Sequence, residues 1–319
     1  MKSFKQFIIE GGNVFKGKTG PIKIDHIEPT LNAYFKEMKR LFPQKASLFN
    51  TKKMIPLGSV GKKPISGDID LGLDASDVLG KDMTDAEIAK WGLDPKDVHA
   101  KFQLLSKRAR STTPEQLMLK AFLSLLAVDI NRRSKLVQCD EKKITPGNMF
   151  GFFPQMDAKG KNLGIGVQLD WMVGNLKWLK FSYYSDAYPV ESNVKGLHRT
   201  QLMLSAFQVA NLSFNHVQGV KDKTTGDVVA QNENDALSLL NNRLGVKITT
   251  KNVNNYYDLH AALKRMKKVD YDQMIDTYFK ILDSTRADIP DDLQDEWKKR
   301  KTKLGLTGKF LPDNSKLRT

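Results

Sequence analysis

Leu57-Gly58-Ser59, followed after eight residues by Asp68-Ile69-Asp70-Leu71, is the stretch on which the fold turns. From Asp68 to Leu73 acidic residues give way to apolar ones in alternation, the period of a half-buried strand. On a strand, residues i and i+2 point to the same face. Asp68 and Asp70 are therefore expected to share a face, with Cα atoms roughly 6.5 Å apart at about 3.3 Å per residue. Two carboxylates that close cannot both stay ionised cheaply unless a cation lies between or beside them. Oxygen-only ligands suit Mg²⁺ or Mn²⁺. The Gly58-Ser59 turn suits a different purpose. Glycine lets the backbone approach a phosphate, and the serine hydroxyl and nearby N–H groups can bind its oxygens. Lys62 and Lys63 stand in the same loop and can help neutralise a triphosphate.

A third carboxylate is needed to hold a second metal. Asp170 is the only acid in the eleven-residue strand-like run from Leu163 to Val173. If that strand lies beside the first, the three carboxylates come within reach of two metal ions about 3.5–4 Å apart.

Leu57-Gly58-Ser59, Asp68-Ile69-Asp70 and Asp170, in that order, resemble the signature of the DNA polymerase β-like nucleotidyltransferase superfamily. That signature is an apolar residue, Gly, Gly or Ser, then Asp-x-Asp, with a third Asp or Glu on a later strand. The helix-like stretch Pro29 to Phe42, with an apolar stripe of Leu31, Tyr34, Phe35, Met38, Leu41 and Phe42, fits the same pattern. The resemblance covers roughly residues 28–190. It implies an α/β (α+β) fold, a small mixed sheet flanked by helices. It also implies transfer of a nucleotide from an NTP to a hydroxyl acceptor: an RNA 3′ end such as that of tRNA, a nucleotide, or a protein side chain. By the same resemblance Asp68 and Asp70 would bind both Mg²⁺ (or Mn²⁺) ions, and Asp170 would bind the catalytic one. A Gly-Ser turn beside a surface strand would spell the same letters. A degenerate site would bind nucleotide without turning it over.

The chain opens Met1-Lys2-Ser3-Phe4-Lys5-Gln6-Phe7-Ile8-Ile9-Glu10, then Gly11-Gly12. Phe4, Phe7 and Ile8 have the spacing of a short amphipathic helix. The apolar part is too short for a secretory signal, and no small-residue cleavage site follows. The segment resembles the capsid-targeting peptide of internal head proteins in myovirus-type tailed bacteriophages, which a prohead protease cuts after an apolar-x-Glu site; Ile8-Ile9-Glu10 matches that site. The resemblance implies that residues 1–10 are a propeptide and that the mature protein starts at Gly11. It would then be packaged in the virion interior and delivered to the host cytoplasm. Without that resemblance the expected location is simply cytoplasmic.

Fifty-one Lys and Arg against 36 Asp and Glu give a formal net charge of +15. Such a surplus attracts polyanions, with RNA favoured weakly over DNA. It also sustains a reading from another class, a non-catalytic basic internal head protein that binds packaged DNA. The single cysteine, Cys139, excludes an intrachain disulfide and a Cys-rich zinc site. The five histidines show no H-x-x-x-H spacing. Leu117 to Ile130, the longest apolar stretch, is interrupted by Lys120 and Asp129 and falls short of the roughly 20 residues of a membrane span; it reads as a buried core helix opened by Thr113-Pro114-Glu115.

The expected organisation is a core over residues 11–190 and a mostly helical domain over 191–319. Within the core, a helix starts at Asp94-Pro95 and continues to about Arg110, Lys135 to Cys139 reads as a strand, and strands Met149–Phe153 and Leu163–Val173 form a hairpin around Asp157-Ala158-Lys159-Gly160. In the second part a hairpin spans Ser213 to Val229. Lys195 and Arg199 stand at the start of the helix expected over Leu197 to Leu212, where a helix N-terminus adds to the pull on a phosphate. Tyr183, Tyr184 and Tyr188 can stack on a base or fill the core. Arg108, Arg110, Arg132, Arg133 and the run Lys298-Lys299-Arg300-Lys301 offer basic faces. Asp74 lies too far along its strand to share the metal and reads as structural or solvated.

Overall fold

The computed structural model describes residues 14, 15, 17–58, 60–62, 64–108, 112–184, 186–189 and 192–306. Residues 1–10, Ser59, Lys63 and Arg110 lie outside the described residues. The chain divides into two compact units, one running Gly11–Lys180 and the other taking Phe181–Thr319. The fold is mixed α/β, with a small sheet and about half of the residues in helices.

In the first unit a five-stranded sheet has the order β2-β4-β7-β6-β5. Its strands are β2 (Ile55–Pro56), β4 (Ile69–Asp74), β5 (Gln138–Cys139), β6 (Asn148–Met156) and β7 (Asn162–Gly174). β1 (Ile22–Lys23) and β3 (Ile65–Ser66) make a separate antiparallel pair. Among the described strands of this sheet β4 and β7 run parallel and the other neighbours are antiparallel, so the sheet is mixed. The helices are α1 (Ile24–Leu41), α2 (Ala75–Leu79), α3 (Asp85–Ala89), α4 (Pro95–Ser106) and α5 (Pro114–Arg133).

Strand parity separates core from site. The odd-numbered residues Ile69, Leu71 and Leu73 of β4 and Leu169, Trp171 and Val173 of β7 are buried in the hydrophobic core. Trp171 donates its indole N–H to the Tyr34 hydroxyl of α1 at 2.7 Å and lies among Phe49 and Trp91. Successive side chains alternate faces, so Asp70 and Asp170 point away from this aromatic core. α5 is capped as its sequence promises: Thr113 accepts from the Gln116 N–H and Gln116 reaches back to the Thr113 N–H.

Three elements depart from their expected limits. α1 starts at Ile24, ahead of Pro29, so the proline lies in its second turn. There it removes one early helical hydrogen bond, while buried Ile27 keeps the preceding turn on the core. α4 ends at Ser106, and the expected strand over Lys135 to Cys139 contracts to Gln138–Cys139.

α6 (Leu176–Tyr183) crosses the division between the units. The second unit holds α7 (Gly196–Val209), then β8 (Leu212–Asn215), β9 (Gly219–Asp222) and β10 (Val228–Ala230) in the antiparallel order β10-β9-β8. The expected hairpin is thus a three-stranded meander, because Asn215 accepts the N–H groups of Val217 and Gln218 and closes a turn inside it. Helices α8 (Glu233–Leu244), α9 (Thr250–Val253), α10 (Tyr256–Leu263), α11 (Lys268–Thr285) and α12 (Gln294–Arg300) follow. α7 is buried almost all round and packs on α10 and α11. Among the described residues no helix is long and apolar enough to cross a membrane.

Candidate metal centre

Asp70 on β4 is the direct register partner of Asp170 on β7, and Asp68 immediately precedes β4. One carboxylate oxygen from each of Asp68, Asp70 and Asp170 lies within 4.8 Å of the other two. Asp170 is buried, 2% exposed, and the other two are half-buried. The parallel pairing explains the convergence: it places two acids of equal parity side by side, and a short step back along the chain adds the third.

The Gly58 turn borders this cluster. Leu57 N–H donates to the Asp70 carbonyl at 2.9 Å, holding the turn against β4. Gly58 has φ +61°, and a Cβ there would lie 3.3 Å from Asp70 Oδ2. Glycine serves both needs, a left-handed backbone and a close approach to a carboxylate. Lys62 is half-buried in the same loop.

The charges in the cluster oppose each other. Burial pushes the Asp68 carboxyl above its ordinary range. Burial first, and then the negative charge of Asp68, push Asp70 well above it. A divalent cation would reverse both causes, since it stabilises the ionised form and replaces lost water. Three carboxylates without Cys or His are a hard donor set, which fits Mg²⁺ or Mn²⁺.

One member of the site is not singled out by the sequence. Gln168, fully buried, donates from Nε2 to Asp170 Oδ2 at 2.8 Å. The signal that could have found it is a polar residue of the same parity as Asp170 in an apolar strand.

The second unit treats its expected phosphate ligands differently. Arg199 is fully buried; Nε donates to the Val253 carbonyl, Nη1 to Ser182 and Nη2 to Phe181. Burial pushes its pKa down to about 10. This guanidinium ties three chain segments together and presents no surface to a nucleotide, so its expected nucleotide-binding role does not fit the structure. Lys195 is at the surface, paired with Asp288 at 3.2 Å. The Tyr188 hydroxyl accepts the Tyr256 N–H within the core. In the first unit Asp74 caps α2, accepting from the Ser76 N–H and hydroxyl, and Arg132 and Arg133 pair with Asp129.

No protein-family model matches the chain, and no curated protein matches it.

Proposed function

We propose that the chain is a metal-dependent nucleotidyltransferase with a DNA polymerase β-like core, moving a nucleotide from an NTP to a hydroxyl acceptor. The observation that carries this reading is the parallel pairing of Asp70 with Asp170, with Asp68 completing a three-carboxylate cluster. Asp68 and Asp70 would hold two Mg²⁺ or Mn²⁺ ions, and Asp170 would join them on one. When bound, such ions lower the pKa of an attacking hydroxyl and stabilise the pyrophosphate that leaves. Asp170, which is buried, would orient that hydroxyl and accept its proton or pass it to water. Gly58 and Ser59 would let the backbone close on the triphosphate, with Lys62 offsetting its charge. The net charge of +15 favours a polyanionic acceptor, RNA before DNA.

The test is pyrophosphate release with each of the four NTPs, Mg²⁺ or Mn²⁺ and total RNA, beside an Asp68→Ala/Asp70→Ala variant. Release that needs the aspartates supports the reading and names the nucleotide. Full turnover in the double variant overturns it.

A second reading follows from the basic charge and from Ile8-Ile9-Glu10: a non-catalytic internal head protein that binds packaged DNA. It expects DNA binding that is indifferent to divalent metal and unchanged by Asp68→Ala.

A further inference from the structure

Gln168 connects the candidate metal centre to the start of the described chain. Its Nε2 donates to Asp170 Oδ2 at 2.8 Å, while its Oε1 accepts the Val14 N–H at 3.0 Å. The two bonds fix the amide orientation without ambiguity, since a carboxylate can only accept and a backbone N–H can only donate. The segment that brings Val14 here is itself fastened to β7. Thr19 bridges Gly166 in parallel; Gly20 N–H donates to the Gly166 carbonyl and Gly166 N–H to the Lys18 carbonyl. Buried Gln155 donates to the carbonyls of Gly20, Pro21 and Gly166. Residues 14, 15 and 17–21 thus form a strap along β7 that ends on the side chain behind Asp170.

We propose that Gln168 is a positioning residue for the metal-binding carboxylate of Asp170, and that the Val14 N–H sets it in place. The inference rests on the metal-dependent reading of the site. A carboxylate rotates about its Cα–Cβ and Cβ–Cγ bonds, and a fixed donor on one oxygen holds that rotation. The donor is neutral, so it adds no charge to a cluster whose acids already oppose one another. A Glu at this position would lose the donor and bring a fourth negative charge. The strap also makes the site sensitive to the chain's N-terminal segment: a proteolytic cut after Glu10 would leave Val14 as the fourth residue of the mature protein.

The experiment is Mn²⁺ titration of the full chain, followed by electron paramagnetic resonance of the free ion, with turnover and melting temperature measured alongside. Gln168→Leu should weaken Mn²⁺ binding by about 10- to 100-fold, the usual effect of removing a partner behind a metal ligand. Excess Mn²⁺ should restore its turnover, which damage to packing alone would not permit. Val14→Pro removes the N–H and leaves Gln168 intact; it should weaken binding by a smaller factor in the same direction. Wild-type protein that binds Mn²⁺, with a folded Gln168→Leu and Val14→Pro that bind it equally well, overturns the inference and leaves the metal site standing. A folded wild type that binds no Mn²⁺ overturns the site and the inference together.

Discussion

Asp70 and Asp170 stand side by side on the parallel strands β4 and β7, although α2 to α5, β5 and β6 intervene in the chain. Removing either carboxylate leaves the paired backbones intact. Asp170→Ala should lower pyrophosphate release roughly 10³-fold, about 4 kcal/mol of barrier, with an unchanged circular dichroism spectrum. Retained turnover in that variant would remove Asp170 from the site.

Burial of the acids, together with the charge of Asp68 beside Asp70, predicts a gain in stability from a neutral substitute. Asp68 and Asp70 have raised pKa values in the folded chain. Their ionised forms are disfavoured there, so above the ordinary carboxylate pKa they cost stability that an amide does not. In EDTA at pH 7, Asp70→Asn should raise Tm by about 2–4 °C, roughly 1 kcal/mol for a unit of this size. Added Mg²⁺ or Mn²⁺ should raise the wild-type Tm and not that of the variant. A variant that melts lower than wild type in EDTA would refute the argument.

Gly58→Ala should cost about 1–2 kcal/mol through its left-handed backbone and reduce turnover more than stability. The new Cβ would lie 3.3 Å from Asp70 Oδ2, so the carboxylate has to move. Thermal melting and steady-state rates measured on the same preparation separate the two effects, and an unaltered rate would place the turn outside the chemistry.

In the second unit, burial pushes the His216 pKa down to about 3. The unfolded chain takes up that proton near the ordinary pKa of about 6.5, so the neutral histidine's contribution is complete above that pH. It is lost as pH falls toward 3, at up to about 1.4 kcal/mol per pH unit. Urea unfolding at pH 7 and at pH 4.5 should show a smaller difference for His216→Phe than for wild type. Equal pH dependence in both would show that His216 is accessible to protons in the folded chain.

Mass spectrometry of virions tests the N-terminal reading. A chain starting at Gly11 is the expected product, and an intact Met1 would refute processing at Glu10.

The three clustered acids are legible because strand alternation is a local property: the letters around Asp68 and Asp70, and the lone acid at Asp170, are visible in short windows. The cap of α5 is legible for the same reason, since Thr113 and Gln116 satisfy each other within one turn. Arg199 misleads because a basic residue at a helix start looks the same whether it meets water or three distant carbonyls. Only the packing of Phe181, Ser182 and Val253 around it decides. Gln168 is half hidden: its i, i+2 relation to Asp170 is visible in the strand, whereas Val14 is brought to it by tertiary structure alone. Pro29 points to a helix start because proline favours the first turn, whereas burial of Ile27 extends α1 backward past it.

The parallel pair has a temporal consequence for synthesis. A nascent polypeptide emerging from the ribosome presents Asp68 and Asp70 long before Asp170, and a parallel partner cannot be supplied by a local hairpin. Loop closure over such a separation is among the slower events of folding. The three carboxylates therefore gather late, after β7 has been added between β4 and β6, and a growing chain lacks the complete cluster until then.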